Sequence, residues 1–98
     1  MTAPSSDSAA IRQTIRALRA AGWELDFVRD GEEDIPVTDE NKAIKDLTAV
    51  DQSYLNVKRG EVTGYVFFVL GNDPEEVICD YTTNLDPTIS DLTNGWFE

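Results

Sequence analysis

The sequence predicts an α+β domain in which helices pack on one face of a four- to five-stranded, mainly antiparallel sheet. Three observations lead there. Apolar residues recur at helical spacing in the first and the fourth elements, and alternate with period two between them. Strand-like runs are joined by short turns containing glycine, aspartate, asparagine or proline, which makes neighbouring strands antiparallel. The elements follow the order helix, two strands, helix, three strands, short helix.

The chain opens with "MTAPSSD", and residues 1–6 are expected to fray. "SDSAAIRQTIRALRAA", residues 6–21, reads as a helix. Ser6 or Ser8 suits the N-cap and Asp7 suits the positive end of the helix dipole. Ile11, Ile15 and Leu18 make one apolar stripe, and Gly22 supplies the stop. Arg12, Arg16 and Arg19 repeat the same spacing one position round and form a basic ridge. A ridge of this kind on an acidic protein is expected to pair with the chain's own carboxylates rather than with nucleic acid.

Trp23, Leu25 and Phe27 alternate with Glu24 and Asp26, the pattern of a half-buried strand. Asp30-Gly31 marks a turn, and Ile35-Pro36-Val37 a short strand at a sheet edge, because proline cannot donate to a ladder. Thr38 caps a helix over about residues 39–47, with Ala43, Ile44 and Leu47 on its apolar side. "SYLNVK" is a third strand, turned at Arg59-Gly60-Glu61.

Val62–Leu70 contains the unbroken apolar run Tyr65–Leu70, which predicts a central strand buried on both faces. "GNDPEE" turns the chain into "EVICDYTT". Strict alternation places Val77, Cys79 and Tyr81 on one face of that strand and Ile78, Asp80 and Thr82 on the other. Cys79, between two apolar residues, then reads as a small buried hydrophobe. Asp86 and Pro87 begin a last helix that ends at Asn94-Gly95, with Ile89, Leu92 and Trp96 on its docking side. Trp96 and Phe97 form a hydrophobic clasp on the sheet or an exposed aromatic pair, a possible secondary interface.

Composition narrows the chemistry. The chain of 98 residues has no histidine and one cysteine. Ser-His-Asp, Cys-His and zinc-water mechanisms are therefore closed to it. An internal disulfide is impossible, which fits a cytoplasmic protein. The longest apolar run is far short of the ~20 residues that span a bilayer, and no secretory signal is legible. No catalytic residue, cofactor or metal is expected. "RDGEEDIPVTDE" lacks the alternating acids and distal glutamate of an EF-hand loop.

The formal net charge is −11, and residues 60–98 hold eight acids and no base. Such a field repels nucleic acid and anionic membranes and attracts basic proteins. The candidate contact residues are the acids of two turns: Asp30, Glu32, Glu33 and Asp34, and Asp73, Glu75 and Glu76.

The run "VFFVLGNDPEEVICDYTTNLD", residues 66–86, resembles a segment of small phage- and prophage-encoded acidic proteins. That resemblance implies a mobile-element setting and no activity. "IRALRAAGWEL" resembles the first helix and strand of HicA-type toxins, but the glycine-serine-histidine segment of that family is absent and residues 23–37 are acidic where it is basic. The expected function is a non-catalytic acidic interaction protein that binds a basic protein partner, in one form a phage-encoded, DNA-mimicking inhibitor of a nucleic-acid-binding host protein. The alternative is a small structural or assembly protein that self-associates, as a homo-oligomer, through its sheet or its C-terminal aromatic residues.

Overall fold

The computed structural model of the chain describes residues 3–97. Three helices, α1 (Asp7–Ala20), α2 (Glu40–Leu47) and α3 (Thr88–Trp96), pack on one face of a five-stranded antiparallel sheet. The strands are β1 (Glu24–Arg29), β2 (Asp34–Pro36), β3 (Gln52–Arg59), β4 (Val62–Val69) and β5 (Ile78–Tyr81), in the spatial order β2-β1-β3-β4-β5. Every pairing is antiparallel: short turns join β1 to β2, β3 to β4 and β4 to β5, while β1 pairs with β3 across the β2–α2 connection.

Local signals place the helices closely. The Ser6 hydroxyl accepts from the Ala9 N–H at 3.1 Å and starts α1. Pro4 is buried while Ala3, Ser5 and Ser6 are exposed; residues 1–2 lie outside the described part. The cap of α2 is Asp39, one residue after the expected Thr38; its carboxylate accepts from the N–H groups of Asn41 and Lys42. An aspartate outcompetes a threonine there because an ionised acceptor binds the helix N-terminus more strongly. Asp86 accepts from the Ser90 N–H at 3.1 Å at the start of α3, which runs to Trp96 rather than stopping at Gly95.

The core is a single cluster between helices and sheet. Ala10, Ile11, Ile15 and Leu18 of α1 meet Leu25, Val28, Leu55, Val57, Val66 and Phe68 of the sheet. α2 adds Ala43, Ile44 and Leu47; α3 adds Ile89, Leu92 and Trp96. Trp96 is 3% exposed and its indole N–H donates to Gln13 Oε1 at 2.8 Å, tying α3 to α1. Phe97, by contrast, is 68% exposed. The two aromatics therefore do not act as a pair: one is core and one is surface.

Two expectations for the C-terminal half are corrected. β4 is not buried on both faces, and the central strand is β3. Gly64, Val66 and Phe68 of β4 are buried against the helices, while Tyr65, Phe67 and Val69 are half-exposed on the other face. Six consecutive apolar residues arise because one face packs the core and the other carries aromatics of its own. In β5, strict alternation fails. The β4–β5 register shifts between Phe67 and Phe68, which pair with Asp80 and Ile78. A bulge of this kind puts an extra residue into one strand. Ile78 and Tyr81 thus both pack against the core, Asp80 shares the face of Phe67, and Cys79 is exposed rather than buried.

Gly64 marks a close approach. A Cβ built there meets Thr82 Oγ1 at 2.8 Å, Leu85 Cδ2 at 2.9 Å and Asn84 Oδ1 at 3.0 Å. The 82–85 segment lies that near because Thr82 Oγ1 accepts from the Tyr65 N–H and the Asn84 amide donates to the Thr63 carbonyl. Gly64→Ala is expected to lower stability by about 1–3 kcal/mol, the usual cost of overpacking. Urea denaturation monitored by tryptophan fluorescence measures it, and an unchanged midpoint would show that the segment yields freely.

Candidate functional site

The topology decides where the charged turns meet. β1 and β4 run in one direction and β2, β3 and β5 in the other. The β1–β2 turn, the connection from α2 into β3 and the β4–β5 turn must therefore all emerge at one end of the sheet. The first supplies Asp30, Glu32 and Glu33 with Asp34 beside them, the second Asp51, and the third Asp73, Glu75 and Glu76. Strands about 4.8 Å apart set the two outer turns roughly 14 Å from one another, with Asp51 between. The backbone fixes this spacing: the Leu70 N–H donates to the Asp51 carbonyl at 2.8 Å. All seven acids singled out in the sequence thus share one end of the molecule, and Asp51, not singled out, joins them.

These acids differ in how they are held. Asp34 forms a two-pronged contact with Arg29, at 2.7 Å from Nε and 3.1 Å from Nη2. The hydrogen bond from Arg29 holds the Asp34 carboxyl below its ordinary pKa, and Asp34 in turn raises that of Arg29. Asp30 Oδ1 accepts from the N–H groups of Glu32 and Glu33, at 3.1 and 3.0 Å, and closes the turn on itself. Those two backbone donors favour its ionised form, so its pKa is lowered too. Among the described residues, no ion pair reaches Glu32, Glu33, Asp51, Asp73, Glu75 or Glu76.

The arginine ridge of α1 is engaged from within. Arg12 and Arg16 both reach Glu40, at 3.1 and 2.9 Å, Arg12 also donates to Asn41, and Arg19 donates to the Thr38 carbonyl at 2.7 Å. α2 begins beside α1, so Glu40 at its start pairs with two of the three arginines. The same arginines leave the acids at the far end of the sheet uncompensated.

No family model, curated protein or solved structure matches this chain. The function must come from its own surfaces.

Two further surfaces stand out. The sheet face opposite the helices is uncovered, and its centre is aromatic. The Tyr54 ring stacks on Phe67 at 4.6 Å and meets Tyr65 edge-on at 5.4 Å. Phe27 lies on the same face, pairing with Asn56, and the Arg29 guanidinium stands 5.6 Å over its ring. The pattern that reveals this face is present in the sequence as a second period-two series, Tyr65, Phe67 and Val69, interleaved with Val66 and Phe68.

At the end of the sheet away from the acids, a cavity of about 460 Å³ is lined by Arg19, Gly22, Trp23, Glu24, Leu25, Thr38 and Lys58. Arg59 covers the Trp23 ring at 4.5 Å and donates to the Ala21 carbonyl, which ties the β3–β4 turn to the end of α1. Neither Cys79 nor a tyrosine lines this cavity. Cys79 stands exposed on β5, and neither β5 nor β4 carries a lysine or arginine. Among the described residues, no three or more Cys, Asp or Glu side chains are grouped to hold a metal ion, and no helix is long and apolar enough to cross a membrane.

The Asp30 turn makes a pH prediction with a definite sign. Its folded-state pKa is lowered, so its contribution to hairpin order is fully present above the unfolded carboxylate value of ~3.9. That contribution declines below this value and is lost once pH passes under the lowered folded pKa. NMR titration of the Glu32 and Glu33 amides is expected to show a midpoint below ~3.9, and a midpoint at or above it would contradict the turn geometry.

Proposed function

We propose that the chain is a non-catalytic interaction protein that captures a basic protein partner at the acidic end of its sheet. The observation that supports this reading is the convergence of three acidic connections at one end, with the helix arginines spent elsewhere. A contact built on exposed carboxylates gains most of its benefit in encounter rate and selectivity for basic surfaces, and it weakens as salt screens the charges.

The carboxylates fall in two clusters, Asp30, Glu32 and Glu33 at one turn and Asp73, Glu75 and Glu76 at the other, roughly 14 Å apart with Asp51 between them. Duplex DNA presents one negative charge per ~1.7 Å of axis. Rows of negative charge on one edge, unpaired among the described residues, favour a partner whose natural ligand is a nucleic-acid backbone. In that form the chain is a phage-encoded inhibitor of a host nucleic-acid-binding protein, and the resemblance of residues 66–86 to phage-encoded proteins agrees with it. A chain of this kind works in the cytoplasm of the host.

The test combines neutralisation with salt. Capture on immobilised protein from host lysate is expected to recover basic, nucleic-acid-binding proteins that elute as salt rises through a few hundred millimolar. The variant Glu32→Gln, Glu33→Gln, Glu75→Gln, Glu76→Gln is expected to lose at least tenfold in affinity for the same proteins. Equal capture by wild type and variant, or recovery of no basic protein, would sink the proposal.

A further inference from the structure

From the uncovered sheet face we infer a second binding surface whose occupant is another copy of this chain, docked sheet to sheet. Four observations lead to that occupant. The first is composition. The centre of the face holds Phe27, Tyr54, Asn56, Tyr65 and Phe67, none of them charged. The charged residues stand around them, and two pairs are matched internally, Arg29 with Asp34 and Lys58 with Asp26. An aromatic centre with a polar margin is the anatomy of a protein interface. In a chain with net charge −11, the centre of this face is a broad patch without acids, and Asp80, which pairs with Phe67, stands at its β5 margin.

The second observation is size. The five strands hold 29 residues, which at about 3.3 Å per residue and about 4.8 Å between strands give a projected face of roughly 460 Å². A side-chain-covered surface exceeds its projection, so full coverage approaches the ~800 Å² per partner of a standard stable interface. A second sheet of the same dimensions covers it completely, whereas a single peptide strand does not.

Third, the alternative route to self-association is closed at the edges. β2 has three residues and contains Pro36; β5 has four and carries the bulge. Short, interrupted edges resist strand addition. Growth through the face remains.

The fourth observation is charge complementarity, and it sets the orientation. A two-fold axis parallel to the strands would stack the two acidic ends on each other. An axis in the sheet plane and perpendicular to the strands places them at opposite ends. It also brings Lys58, at the β3–β4 turn end of one copy, toward the start of the partner's β3, where Asp51 stands. The sheets then pack face to face about 10 Å apart, near the aligned angle of β-sandwiches.

A basic partner gains nothing from an uncharged centre, and nucleic acid is repelled by the acids at the margin. A copy of the same surface brings an uncharged aromatic centre, and the perpendicular axis keeps its acidic end away from this one.

Sedimentation equilibrium over about 1–100 μM tests this at low and high salt. The expected species has twice the 10.9 kDa chain mass and persists at 1 M salt, because aromatic burial is not screened. Tyr54→Lys with Phe67→Glu is expected to give a monomer with an unchanged far-ultraviolet circular dichroism spectrum, since neither side chain enters the core. Phe97→Ser, on the helical side, is expected to leave the dimer intact. Lys58→Glu is expected to weaken it several-fold at low salt only, which reports the orientation. A wild-type monomer throughout the concentration range overturns the inference, as does a dimer that survives the double variant or breaks with Phe97→Ser. A monomer whose tyrosine fluorescence is quenched by a single-stranded oligonucleotide would assign the face to base stacking and overturn it equally. These outcomes leave the acidic-end reading untouched, because they concern a different surface.

Discussion

Packing of the α1 stripe against the sheet is the constraint on which the rest depends. Ala10, Ile11, Ile15 and Leu18 are fully buried, and α2 and α3 each dock beside α1 rather than on a layer of their own. Trp96 reaches Gln13 across that junction, and Arg12 and Arg16 reach Glu40 on the other side. A chain of this length has apolar side chains for one core layer, and α1 commits them to one face of the sheet. The other face is left to solvent by the same act.

That one-sidedness organises the surface chemistry. Five of the chain's eight cations lie on α1 and α2: the α1 arginines meet the start of α2, and Lys42 meets Asp46 at 2.8 Å. The connections at the far end of the sheet receive acids without cations to match, apart from Arg29 at Asp34. The uncovered face, with no core to fill, carries tyrosine and phenylalanine in mutual contact, which shields part of each ring from water. Both surfaces proposed for binding are therefore consequences of where the core lies. One is electrostatic and salt-sensitive, and the other is apolar and salt-tolerant. They meet at the Arg29–Asp34 pair, which belongs to the margin of each.

The fold class, the antiparallel pairing and the capping of α1 were legible in the residues because each rests on local physics: a hydroxyl at an N-cap, period-3.6 and period-2 alternation, and turns that reverse the chain. The β4 and β5 errors share a cause. A run such as Tyr65–Leu70 reads the same whether its second face is buried or merely aromatic, and burial is a property of what packs above it. The exposure of Cys79 follows from a one-residue bulge, which shifts a register without leaving a mark in a four-residue strand. The sequence points to Thr38 as the cap of α2 for a simpler reason: threonine is itself a good cap, and the structure uses the carboxylate of Asp39, the next residue.

By itself, the sequence determined the chemical repertoire and its sign: no histidine, one thiol, an excess of carboxylates, and strands that must reverse at acidic turns. Those are properties of side chains and of nearest neighbours along the chain. Only the tertiary structure decided that two turns forty residues apart point the same way, that Asp51 stands between them, that Trp96 is core while Phe97 is not, and that one sheet face stays bare. Each of these depends on strand order and on which side of the sheet the helices lie. Contacts between residues distant along the chain set both, through the shape of the core, and no local pattern encodes that.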